Sequence, residues 1–423
     1  MSKKTIKALL EQLDKCNQQL ERLTKNSEKI EMYHKATKPS YATRLRRLQR
    51  YAKMLHESLT VCWSCSCRAS HKTSLQLEPR GSVFAARTQK KTQSLKVSFN
   101  VSFSTIAPEG SGVPWHFQAA EICVEDEEDM CLTPMASPRL SLSKSVSFGS
   151  LPPYAVHDPE DSALPSHQEV KDLCASIQQL RDCASTIGFS LDKKNKLRGA
   201  YRIDATEAYV PTAESVSLES LLEQPPVVNG RRSKLSMKER YSLALTLASS
   251  VLYLNSTPWL ASEWTARDIL FHRTSNTLQP IDIERPYLSP IIEECTKGGS
   301  KRAAAGASSN KVLVALGVSL LELYFGTTVE KYRALEIEGD AGEPATNQDQ
   351  SLKLCMLAYT WMYNESGNLS AAFRNAVRHC IHGFSEHEAS LQDTDFLQAA
   401  VENIVLPLQE EFHHFLGKTT TTS

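Results

Sequence analysis

Hydrophobic residues recur along the first sixty positions at alternating steps of three and four. Ile6, Leu9, Leu13, Cys16, Leu20, Leu23, Ser27 and Ile30 fall on one stripe. After a break at Lys35–Ser40 the pattern resumes at Tyr41, Leu45, Leu48, Ala52, Leu55 and Leu59. That spacing marks one face of a helix with 3.6 residues per turn. With Pro39 in the break, it predicts two amphipathic helices folded as an antiparallel hairpin over residues 1–60. A period-two alternation follows at Leu75 and Leu77 and over Leu95–Phe103, as in half-buried strands. Trp115–Val124 is a weaker strand.

Residues 126–168 change character. Behind the acidic run Glu125–Asp129 comes a Ser/Pro-rich stretch with too little apolar surface to order a core, which predicts a flexible linker. From there Val170, Cys174, Ile177 and Leu180 have helical spacing, and Ile187–Leu191 and Leu197–Ile203 flank the turn-rich Asp192–Lys196 as a hairpin. Ser217 caps a short helix with Glu219 in its first turn. Met237–Leu254 is strongly amphipathic, and Val312–Phe325 is apolar on nearly every face, which predicts a buried central helix. Helical patterns close the chain at Leu352–Tyr363, Leu369–Gly383 and Phe396–Leu416. The expected class is α+β and predominantly helical. Its parts are a helical hairpin at 1–60, a small strand-rich region at 61–125, the linker at 126–168, a helical domain at 169–416 and a disordered tail at 417–423.

Composition narrows the classes. In 423 residues, 41% hydrophobic and 23% charged side chains suit a globular protein. Forty-eight basic and forty-eight acidic residues cancel, which argues against a general nucleic-acid binder. Residues 1–60 are nonetheless basic, with fourteen Lys/Arg against six Asp/Glu. That face is either solvated helix surface or a contact for anionic lipid or an acidic partner. Val312–Gly326 contains Glu322 and falls short of the roughly 20 apolar residues of a membrane span. The first residues lack the apolar core of a signal peptide. Eleven cysteines, mostly single, fit a reducing compartment, so a cytoplasmic location is expected.

Ala266-Arg267-Asp268-Ile269-Leu270 looks like the catalytic loop of protein kinases, and Ile281-Asp282-Ile283-Glu284 falls near the place of their metal-binding motif. Leu316-Gly317-Val318 through Glu322-Leu323 to Gly326 is similar to their buried large-lobe helix. In element order residues 217–326 thus resemble a kinase large lobe, which implies a kinase-like C-terminal lobe. The chemistry is not preserved with it. Phosphoryl transfer needs a glycine loop, a strand lysine, a base and metal ligands. Gly110-Ser111-Gly112 lacks the third glycine, no Val-Ala-Ile-Lys-like strand occurs, and Ala266, Arg273 and Glu284 replace the histidine, asparagine and glycine of the motifs. Each such loss typically costs about 10²–10³ in rate. Asp268 and Asp282 are therefore vestigial candidates, a base and a metal ligand in an atypical phosphotransferase or structural residues otherwise.

Cys62, Cys65, Cys67 and His71 lie within ten residues and are donor types that zinc prefers. Against a metal site stand the C-x-C spacing and the lack of a second C-x₂-C pair. Buried small hydrophobes with a structural histidine, or a redox role, are the alternatives. These residues, together with Thr257-Pro258-Trp259-Leu260, Glu322-Leu323-Tyr324-Phe325-Gly326, Trp361 and Ala376–Cys380, resemble a fungal family of uncharacterised proteins with a C-terminal domain of unknown function. The resemblance implies a signalling context near incompatibility and cell-death proteins. The expectation is a catalytically inactive, kinase-like scaffold that takes no cofactor, binds a protein partner and does not bind nucleic acid. A membrane- or partner-binding role for residues 1–60 is the third reading.

Overall fold

A computed structural model describes residues 15, 17–19, 40–84, 97–105, 115–125, 168–181, 184–203, 211–228, 230–290, 308–336, 347–386 and 389–418. Its first long element is the helix α1 (Tyr41–Cys62), capped by Ser40, whose hydroxyl accepts the Thr43 N–H. The stripe Tyr41, Leu45, Leu48, Ala52, Leu55 and Leu59 is buried, but not against a second arm. It packs on α5 (Met237–Leu254) and α10 (Thr394–Ala400). Gln398 Oε1 accepts the Tyr41 and Ala42 N–H groups at 2.9 and 3.3 Å, and the Trp259 indole donates to the Ala52 carbonyl at 2.8 Å. The expected N-terminal hairpin is thus corrected: the apolar face of α1 is taken by the C-terminal half of the chain. Of the supposed first arm, Lys15 and Asn17–Gln19 are helical and exposed, and the remainder lies outside the described residues.

The predominantly helical class is corrected as well. Eight strands form one mixed sheet: β1 (His71–Gln76), β2 (Val97–Thr105), β3 (Phe117–Val124), β4 (Thr186–Leu191), β5 (Leu197–Ile203), β6 (Pro211–Ser217), β9 (Ile269–Thr274) and β10 (Ile281–Leu288). A separate two-residue pair, β7 (Val227–Val228) and β8 (Arg231–Arg232), stands outside it. The order is β5-β4-β3-β2-β1-β10-β9-β6. β3 and β4 run parallel and all other neighbours antiparallel. Strands read as loops of a helical lobe, β9 and β10, therefore extend the sheet begun by β1–β3. The kinase-like helical lobe gives way to a sheet shared by both halves. The predicted linker lies, apart from Gln168, outside the described residues.

Local chemistry accounts for several elements. β3 alternates half-buried and buried positions along its length, the period of a strand with one face in the core. The β4–β5 turn is held by Asp192, whose Oδ1 accepts the N–H groups of Lys194 and Lys196 at 2.8 and 2.9 Å. Asn195 there adopts φ +59°, a left-handed conformation that asparagine tolerates. α5 begins at a capping box in which Ser236 and Glu239 satisfy each other's backbone N–H groups.

α6 (Ser308–Phe325) is the centre of the helical layer. It packs against α5, α8 (Asn347–Asn364) and α9 (Ala371–Ser385), and Leu313, Leu316, Leu320, Leu321 and Leu323 are fully buried. At Gly317 a Cβ would lie 3.2 Å from the Cys380 Cβ, so the glycine sets how closely α9 approaches. Beyond α6 come α7 (Val329–Glu336), a π-type turn at Val401–Val405 and α11 (Leu406–Phe415). α2 (Gly81–Phe84), α3 (Leu173–Leu180) and α4 (Leu218–Glu223) are short.

α6 also carries a buried carboxyl. Glu322 accepts the Val329 N–H at 3.0 Å, and burial, only partly offset by that bond, raises its pKa to about 8 from an ordinary 4.5. Between these values the unfolded chain ionises Glu322 and the folded chain keeps it protonated. Stability is therefore greatest below about pH 4.5 and falls as pH rises through about 8, as far as this group is concerned. Glu322→Gln should flatten that decline. Urea midpoints at mildly acidic and mildly alkaline pH check it, and an unchanged slope in the variant contradicts it.

Candidate functional site

α1 ends at Cys62, and the next eight residues turn the chain into β1. In the turn the Arg68 N–H donates to the Cys65 carbonyl at 3.2 Å, while the Ser70 N–H and hydroxyl donate to the Cys67 carbonyl at 3.0 and 2.7 Å. The short 3₁₀ turn Arg68–Ser70 thereby returns the chain to His71, the first residue of β1, whose Nε2 lies 3.2 Å from the Cys67 sulfur. A fourth group arrives from far along the sequence. α3 is capped by Asp172, whose carboxylate accepts the Ala175 N–H at 3.2 Å, and its Cys174 places its sulfur 3.8 Å from that of Cys67. With Cys65 included, one donor atom from each of the four residues falls within 4.8 Å of all the others.

Aromatic rings pack on its imidazole. The His71 ring lies 4.5 Å from Trp63 and 4.9 Å from Trp115, both in stacked orientation. Its other nitrogen, Nδ1, is 3.4 Å from the hydroxyl of buried Thr105, its partner in the β1–β2 register. Trp115 is 1% exposed. Its indole N–H has no hydrogen-bond partner among the described residues. Burial is the main influence on titration here. It pushes the Cys65 thiol up to about 12, with Cys67 adding to the rise. It also raises Cys174 and lowers His71, for which the Asp172 carboxylate is a weaker opposing influence.

The sequence singled out Cys62, Cys65, Cys67 and His71, and the structure brings three of these together. Cys62 is buried at the end of α1 with its thiol 3.4 Å from the Val170 carbonyl, to which it donates. Its place is taken by Cys174. A lone cysteine in the apolar stripe Val170, Cys174, Ile177 and Leu180 has the pattern of a core residue. Nothing in its local spacing signals the approach of a turn 107 residues away.

Asp268 and Asp282 do not come together. The Asp268 carboxylate accepts the Thr265 N–H at 2.7 Å and the Thr265 hydroxyl at 3.3 Å, closing the turn that leads into β9. Asp282 is buried in an irregular stretch of β10 and pairs with Arg285 at 3.6 Å. Ile269 opposes Leu288, and Arg273 opposes Ile281. The two aspartates therefore lie toward opposite ends of the hairpin, about 15 Å apart at the usual rise of a strand. Arg273 reaches away to Glu214 of β6, at 3.4 Å. A cavity of about 340 Å³ sits between the β7–β8 hairpin and the β9–β10 turn, lined by Leu221, Pro226, Leu235, Leu278, Pro280 and Ile281 among others. Neither aspartate lines it.

A family described as a domain of unknown function (DUF7580) matches residues 42–415. No curated protein matches the chain.

Proposed function

The chain belongs to that family, and since a domain of unknown function brings no activity with it, we propose from its own residues that it is a non-catalytic protein-interaction scaffold. The observation that carries the non-catalytic reading is the separation of Asp268 and Asp282. A base that takes the substrate proton and a carboxylate that holds the metal must both reach one transferred phosphoryl group, the base within hydrogen-bond distance of the attacking hydroxyl. Two carboxylates toward opposite ends of a hairpin, one closing a turn and one paired with arginine, do not fit that division of labour. The substitutions at Ala266, Arg273 and Glu284 in the kinase-like motifs support the same reading. The resemblance to an uncharacterised fungal family supports a signalling context.

α8 supports the interaction half of the proposal. Cys355, Ala358, Trp361 and Met362 face the core. Leu352, Met356, Tyr359 and Tyr363 form a second stripe, spaced by four, three and four, and are 49–68% exposed. Tyr359 and Tyr363 stack with ring centres 6.4 Å apart. Lys353 is the one charged side chain in residues 350–364. A helix face so apolar and so poor in charge is costly to leave in water. The occupant it fits is an amphipathic helix of a partner protein, laid along the stripe over about 16 Å with its own apolar face inward.

Two measurements test these halves. Thermal unfolding of the full chain should not shift when Mg-ATP is added. A nucleotide present at 100 times its dissociation constant would stabilise the fold by about 2.7 kcal/mol, and such a shift overturns the non-catalytic reading. For α8, a photo-crosslinker at position 359 identifies the occupant, which is then purified and titrated. Met356→Glu should leave stability within about 0.5 kcal/mol, as for other exposed sites, and weaken that binding by about tenfold or more. Unchanged affinity, or a crosslink solely to a second copy of the chain, refutes the partner-helix assignment.

A further inference from the structure

We infer that Cys65, Cys67, His71 and Cys174 bind a single zinc ion that fastens α3 to the turn between α1 and β1. The donor set is what carries this. Three thiols and one imidazole are the ligands of a closed structural zinc site. At zinc–sulfur and zinc–nitrogen bonds of about 2.3 and 2.0 Å, a tetrahedral ion spaces its ligand atoms about 3.8 Å apart for two sulfurs and about 3.6 Å for sulfur and nitrogen. The Cys67–Cys174 and Cys67–His71 distances are 3.8 and 3.2 Å. Three donors from one turn and a fourth from a helix more than a hundred residues on converge within 4.8 Å.

The surroundings fit the same ion. Metal-bound histidines hold their other ring nitrogen in a hydrogen bond that fixes the tautomer. Thr105 stands at that position. Binding sends three thiol protons to solvent and leaves two positive charges against three thiolates, a net of minus one. The buried Trp115 indole, stacked on His71, has an N–H without an acceptor among the described residues, beside that surplus. Soft sulfur donors exclude magnesium and calcium, and a tetrahedral N/S set selects zinc. All four positions are filled by protein, so no coordination site is left for substrate water. The ion is structural.

The test uses the full chain purified under reducing conditions. Elemental analysis after desalting should give about one zinc per chain. Cobalt exchanged into the protein should show thiolate-to-cobalt charge transfer and tetrahedral ligand-field bands. Cys174→Ser should lose most of the metal, while Cys62→Ser, whose thiol is outside the group, should retain it. Thr105→Val keeps every ligand and should weaken the site about 10- to 100-fold in competition with a chelator. The cobalt spectrum of the unaltered chain and the Thr105→Val titration stand even where Cys174→Ser fails to fold. The inference is overturned by a reduced chain that carries no zinc and gives an octahedral cobalt spectrum. It is equally overturned if Cys62→Ser loses as much metal as Cys174→Ser.

Discussion

Strand β1 is the constraint on which the molecule turns. It pairs with β2 over five residues, His71 to Leu75, and with β10 through Leu75 and Gln76. The Ser74 and Ser289 hydroxyls bond across the same seam at 2.7 Å. Through this one strand the sheet begun by the first half of the chain is continued by the second. Side chains alternate between the faces of a strand, so His71, Thr73 and Leu75 share a side. Thr73 receives the Trp63 indole N–H at 3.3 Å, and Leu75 is fully buried. A slip of one residue would turn Leu75 to the face that carries Lys72, Ser74 and Gln76, and His71 away from the cysteines. The register that builds the core is thus the register that assembles the donor cluster.

Polar groups at the two candidate sites are used in opposite ways. Around β9 and β10 the carboxylates are consumed locally: Asp268 by the backbone of its own turn, Asp282 by an arginine three residues on. Such bonds hold loops in shape. Around β1, His71 and Cys174 are buried and Cys65 and Cys67 half-buried, with Trp63 and Trp115 stacked on the imidazole and Phe103 edge-on to Trp63. Burial disfavours charge on an isolated thiol, and that is why Cys65 and Cys174 shift upward. The same burial magnifies the attraction of thiolates to a cation placed among them. What looks inert without an ion is the setting in which a soft ion binds tightly.

Much of the helical layer was legible, because long periodic segments announce themselves. Met237–Leu254 appears as a helix over the residues the pattern marked, and Val312–Phe325 lies within buried α6. Ser217 caps α4, and the turn at Asp192 joins two strands. The sheet was only half legible. β6, with Thr212, Glu214 and Ser215 exposed or half-exposed along an edge, has almost no apolar alternation. β9 and β10 mix buried and polar positions irregularly, and a bulge interrupts β10 before Pro286. Their pairing partners are remote, and a one-dimensional pattern carries no sign of them. The destination of the stripe on α1 was hidden for the same reason. Periodicity says that a face is buried and not what buries it. At the cluster, Cys65, Cys67 and His71 are readable as a local set, whereas Cys174 becomes a ligand only by topology.

That topology also says what the fourth ligand does. Closing a loop of about a hundred residues costs several kcal/mol of chain entropy when nothing else closes it. Here the parallel pairing of β3 with β4, Ala119 with Thr186 through Val124 with Leu191, already returns the chain to the sheet. Cys62 and Ser64 also reach the Val170 and Lys171 carbonyls just ahead of α3. The entropy of the long connection is largely met before Cys174 meets Cys67. The contribution of the cluster is therefore local. It fixes the angle and depth of a short helix that has only Leu173, Cys174 and Ile177 buried beneath it. An eight-residue helix with so small a footprint is marginal by itself. Three anchors from one direction and one from the other are the arrangement that makes such a helix a fixed part of the fold.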